Sequence, residues 1–106
     1  REMLTAAKHR AANKGVEFSI DYEWLVERLA PMRCELTGIE LKMTDDEYVG
    51  KQSPFAPSID RINSSKGYSK ENCRVVCWGI NCGMSSYGEE IYMQIAAAYL
   101  KRMGLT

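Results

Sequence analysis

The segment from Ser58 to Asn81 restricts the fold more than the rest of the chain together. Ile59 and Ile62 flank Asp60 and Arg61 in a run suited to a β-strand, Ser64 to Gly67 is turn chemistry, and Arg74 to Trp78 is rich in β-branched and aromatic side chains. A strand pair joined by a wide polar loop follows. The β pattern stops at Gly79, so the chain is expected to enter a short helix there, with Asn81 pointing back towards Asp60.

That layout carries chemistry. A carboxylate on the first strand and a neutral amide oxygen on the helix are hard ligands. They suit Mg²⁺, which keeps several waters and takes few protein ligands beside phosphate oxygens.

The same residues resemble the HNH family of nucleases, whose active site is the ββα-metal, or His-Me, finger. Asp60 matches the family's metal-binding Asp, Asn72 the Asn that stabilises the loop, and Asn81 falls at the spacing of the last ligand. The similarity to small phage-encoded members runs from the basic amino-terminal helix through Cys34 to Gly38 and on to Glu89 and Glu90. It implies an α+β domain, a ββα-metal finger flanked by an amino-terminal helix, a capped second helix and a carboxy-terminal helix. It also implies Mg²⁺ or Mn²⁺ as cofactor, DNA as partner, and Asp60, Arg61, Asn72 and Asn81 as the catalytic set. Asp60, as a solvated metal ligand, is expected to matter little to the fold.

One departure bears on mechanism. Where the family places its general-base His, this chain has Arg61, and a guanidinium stays protonated at any working pH. Arg61 can hold a phosphate oxygen and stabilise developing charge instead. Three sources of a base remain open: His9, the only histidine; Tyr68, after the loop glycine; or water acidified by the metal, which is preferred.

At 106 residues the chain is read as one domain: a basic helical part over residues 1–31, the hairpin and finger over 32–86, and a final helix over 88–104. It opens on Arg1 and not Met, as expected of a piece of a longer reading frame. No apolar run is long enough to span a bilayer and no signal-peptide pattern opens the chain, so a cytoplasmic protein of a bacterium or phage-infected host is expected.

Fourteen basic and fourteen acidic residues balance, which by itself argues against nucleic acid. Their distribution argues the other way. Lys8, Arg10 and Lys14 cluster near the start, and Arg61, Lys66, Lys70 and Arg74 surround the motif. These seven are the candidate DNA contacts. Acid collects at Asp45 to Glu47 and at Glu89 and Glu90.

Cys34, Cys73, Cys77 and Cys82 raise the question of a structural zinc. Two Cys-x-x-Cys knuckles would pair Cys34 with Thr37 and Cys77 with Ile80, so each lacks a thiol. The expectation is no zinc, with Cys34 and Cys77 close together as reduced, buried thiols.

Asp21 is placed to cap a helix over residues 22–30, with Ile20 and Leu25 as a hydrophobic staple and Pro31 beyond its end. The last helix is expected from Glu89 to Met103, stopped by Gly104, with Ile91, Ile95, Ala98 and Tyr99 as its buried stripe. Cys34 to Leu41 reads as a small hairpin turning near Gly38, and residues 42–57 as an irregular loop.

The leading expectation is a metal-dependent endonuclease that hydrolyses DNA phosphodiester bonds, with a homodimer needed to cut both strands at once. The alternatives are an HNH-fold DNA-binding module without cleavage, supported by Arg61 and by Met84 where relatives often have lysine, and a phage factor that binds a protein partner.

Overall fold

The computed structural model describes residues Arg1–Thr106. Four helices surround a two-stranded antiparallel sheet, an α+β arrangement. Helix α1 (Glu2–Lys14) ends at Gly15, whose φ of 67° lets its N–H reach the carbonyls of Ala11 and Ala12. Ala7 and Ala11, four residues apart, are its buried residues, and their small side chains let α1 lie close to the sheet.

Helix α2 (Tyr22–Leu29) begins as its sequence predicts: Asp21, in an extended conformation, accepts the Trp24 N–H at 2.8 Å. Ile20 and Leu25 are both buried, as the staple requires.

The expected hairpin from Cys34 to Leu41 is present in its smallest form, one antiparallel bridge between Arg33 and Glu40 flanked by hydrogen bonds from the Cys34 N–H to the Ile39 carbonyl at 2.8 Å and from the Leu41 N–H to the Met32 carbonyl at 2.9 Å. Its turn also reaches the sheet. Glu35 donates its N–H to the Val75 carbonyl at 3.0 Å and accepts the Val75 N–H on its side chain at 2.7 Å. Both polar groups of a residue on the open edge of the sheet are thereby satisfied. Beyond this turn the loop contains one short 3₁₀ turn, Asp46–Tyr48.

Strand β1 (Pro57–Arg61) pairs with β2 (Cys73–Cys77), with Ile59 opposite Val75 and Asp60 opposite Arg74. All five β2 residues are buried, and Val75 and Val76 have no exposed surface. Trp78 is the first residue of helix α3 (Trp78–Met84) and not the last of the strand. The backbone N–H groups of Trp78 and Gly79 turn away to the carbonyls of Ala56 and Pro54, at 2.7 and 2.8 Å. A Cβ on Gly79 would crowd Pro54 at 3.1 Å.

Helix α4 (Glu89–Arg102) runs past α3 and stops before Gly104, whose φ is 73°. Its expected buried stripe is not buried. Ile91, Ile95 and Tyr99 are 44%, 65% and 64% exposed, and no residue of α4 is buried. Helical periodicity identifies an apolar face but does not say whether this chain covers it. No helix is long and apolar enough to cross a membrane.

Candidate metal and phosphate site

The loop between β1 and β2 determines the shape of the site. Asn72, buried, accepts the Asn63 N–H on Oδ1 at 2.9 Å and donates Nδ2 to the carbonyls of Asn63 and Gly67, at 3.0 and 2.8 Å. One amide thus closes the loop at both ends, the role expected of it. The loop is also fastened to the segment before α2: Tyr68 donates its N–H to the Glu17 carbonyl at 2.7 Å, and Ser19 donates to the Tyr68 carbonyl at 2.8 Å. Gly67 makes that approach possible, since a Cβ there would lie 2.6 Å from the Glu17 carbonyl oxygen.

Asp60, Arg61 and Asn81 come together on one cleft of about 480 Å³, which Arg10 and Lys14 of α1 also line. Asn81 donates its Nδ2 to Ser58 Oγ at 2.7 Å. Its Oδ1 accepts no hydrogen bond from the protein, and so remains available as a ligand. Asp60 is 6% exposed and its Oδ2 accepts Arg74 Nε at 2.8 Å, while Oδ1 accepts no hydrogen bond from the protein. Two hard oxygens on the same cleft, one anionic and one neutral, fit Mg²⁺ or Mn²⁺.

Burial pushes the Asp60 carboxyl above its ordinary value, and Arg74 only partly offsets this. The expectation that Asp60 is a solvated residue, unimportant to the fold, is therefore corrected. Its partner Arg74 also donates Nη1 to Glu89 at 2.8 Å, so a buried guanidinium links β1, β2 and the start of α4.

Arg74 was among the expected DNA contacts, and the structure gives it that internal role instead. A strand arginine read from sequence looks like a surface cation; here its register opposite Asp60 buries it.

Arg61 lies over the Tyr68 ring, 4.9 Å from its centroid, and donates Nη1 to the Lys66 carbonyl at 2.9 Å. Arg10 in turn donates Nε to the Tyr68 hydroxyl at 3.2 Å. Tyr68, buried and packed near Phe18, therefore holds two cations at the cleft. Sequence reasoning missed this role; the signal was an aromatic residue directly after the glycine that closes the loop.

The other candidates disperse. Lys8, Lys66 and Lys70 are exposed and do not line the cleft, and Lys70 lies 3.4 Å from Asp21. His9 is exposed on α1 and also lies outside the cleft. Met84 is buried, with its sulfur 3.9 Å from Arg74 Nη2. Ser85, on the cleft wall, has a φ of 50°, a strained conformation for a residue with a side chain.

Cys34 and Cys77 are neighbours, as expected, and all four cysteines are free thiols. Burial raises the Cys34 thiol, but the Thr37 side chain and the N–H groups of Cys77, Thr37 and Leu36 outweigh it and bring it below its usual value. Burial raises Cys77, against the Ile80 N–H, and Cys34 adds to the rise. Cys73 sits at the opposite end of β2, roughly 13 Å along the strand, and burial pushes its thiol up to about 12. Cys82 is exposed on α3.

Comparison of the chain with protein-family models, curated proteins and solved structures finds no match.

Proposed function

We propose that this chain is a metal-dependent endonuclease of HNH type that hydrolyses phosphodiester bonds in DNA, with β1, β2 and α3 as its ββα-metal finger. The observation that supports this most is the convergence of Asp60, Asn81 and Arg61 on one cleft that Arg10 and Lys14 also line. In this reading Asp60 Oδ1 and Asn81 Oδ1 hold Mg²⁺ or Mn²⁺. When bound, the cation supplies Lewis-acid charge at the scissile phosphate and acidifies water.

The chain's own residues position the phosphate. Arg61 has Nε and Nη2 free to donate to a phosphate oxygen, and the Tyr68 ring with the Lys66 carbonyl holds its plane before substrate arrives. Arg10 and Lys14 attract the flanking backbone, and Asn72 keeps the loop in place. No imidazole lines the cleft, so the proton of the attacking water leaves to solvent or to substrate phosphate.

One observation favours a second reading, a DNA-binding module without cleavage: Arg74 already neutralises the Asp60 carboxylate, which weakens its hold on a cation.

Nicking of supercoiled plasmid with Mg²⁺ or Mn²⁺, alongside a mobility shift, separates the readings. The endonuclease reading expects metal-dependent nicking that Asp60→Asn loses while DNA binding persists. No nicking on duplex, branched or single-stranded DNA, together with salt-sensitive binding, assigns the chain to the second reading. Neither nicking nor binding leaves the protein-partner reading.

A further inference from the structure

Helix α4 departs from the usual relation between composition and burial. Between Ile91 and Leu100 its only polar side chains are Gln94 and the two tyrosine hydroxyls, and a helix apolar on most sides is normally buried. Yet no residue of α4 is buried within the chain. Tyr92 packs on Gly83 of α3, which leaves Ile91, Ile95 and Tyr99, spaced four residues apart, as an exposed row with Ala98 beside them. The radius of gyration is 14.7 Å, above the about 13 Å of a compact domain of this length.

We infer that this row binds the same row of a second copy of the chain, with the two α4 helices antiparallel about a two-fold axis. Charge selects this occupant. Glu90 stands near the start of α4 and Lys101 near its end, and their spacing returns to within about 20° of the same helical flank. An antiparallel two-fold that sets Ile95 near Ile95 brings Ile91 beside Tyr99. It also brings Glu90 of each copy beside Lys101 of the other, at both ends at once. A parallel pair would put these flanks on opposite sides of the seam, leaving Glu90 and Lys101 without an opposite charge to meet. Glu89 takes no part, since Arg74 holds it. The antiparallel order also sets the positive end of one helix dipole beside the negative end of the other, and the small side chain of Ala98, beside the row, allows close approach near the centre.

Fourteen residues make a contact only about 21 Å long, at the low end of stable interfaces. Association therefore depends on concentration in a range that sedimentation can follow.

The test is sedimentation equilibrium on the full chain from about 1 to 300 μM, a span that brackets a micromolar interface. The mass should rise from 12.0 kDa towards twice that value. Ile95→Glu should stay monomeric throughout with an unchanged far-UV circular dichroism spectrum, because Ile95 is exposed in the single chain. Glu90→Lys should weaken association by about tenfold, and adding Lys101→Glu should restore it. A wild type that remains monomeric at every concentration overturns the proposal, as does a dimer that survives Ile95→Glu. A dimer indifferent to Glu90→Lys, or not restored by the double exchange, overturns the antiparallel arrangement.

Discussion

The strand pair and helix α4 are both rich in apolar residues, and they use them in opposite ways. In β2, Val75 and Val76 are fully enclosed, Glu35 pairs both backbone groups of Val75 and Arg74 is paired on two sides. In α4 the isoleucines face outward and the helix touches the body of the protein along one side. The first region is completed by contacts from far along the same chain; the second is not. A substitution in β2 should therefore act on folding, and one on the outer face of α4 on association.

The largest effect is expected at Arg74. Arg74→Met leaves the buried Asp60 carboxylate without its partner and should cost about 3 kcal/mol or more at neutral pH, read from urea unfolding. A loss below about 0.5 kcal/mol, typical of a surface site, would erase the contrast between the two regions.

Gly67→Ala comes next. Its new Cβ meets the Glu17 backbone, so about 1–3 kcal/mol should be lost, with faster hydrogen exchange at the Tyr68 and Ser19 amides as the loop separates. Unchanged exchange at those amides would show that the two segments are not held together through this contact.

Titration sharpens the comparison further. The Asp60 carboxyl is raised by burial, so its contribution to stability is full below the unfolded value of about 3.9 and is lost as pH rises through the higher folded value. Asp21 is lowered, chiefly by the Trp24 N–H it accepts. Its contribution is present above that unfolded value and is lost as pH falls through the folded one. Stability relative to Asp60→Asn should therefore decline with rising pH, and stability relative to Asp21→Asn should increase. Parallel pH curves for the two pairs would contradict this assignment.

The smallest effect on folding belongs to α4. Ile95→Glu should change the stability of the dilute, monomeric protein by no more than about 0.5 kcal/mol. A loss of several kcal/mol would place Ile95 in a folding core.

How much was legible in the sequence follows the same division. The Asp21 cap, the Ile20 and Leu25 staple and the Gly104 stop are local signals, and each stands where expected. The Asn72 closure was also legible, because donor and acceptors lie within nine residues. The burial of Arg74 depends on strand register, and the docking of Glu35 on β2 depends on a contact forty residues away; neither partner is near in sequence. Trp78 looked like strand because aromatic residues favour strands, but the Ala56 carbonyl draws its N–H into the turn that starts α3. The exposure of α4 was illegible for a different reason, since periodicity reports a face and not its occupant.

The central claim is that Asp60 and Asn81 hold a divalent cation in the cleft, and it is tested most directly by anomalous diffraction from crystals soaked in Mn²⁺. The account predicts a peak about 2.1 Å from Asp60 Oδ1 and from Asn81 Oδ1, absent in Asp60→Asn. No peak there at saturating Mn²⁺, or a peak only elsewhere on the surface, would contradict it.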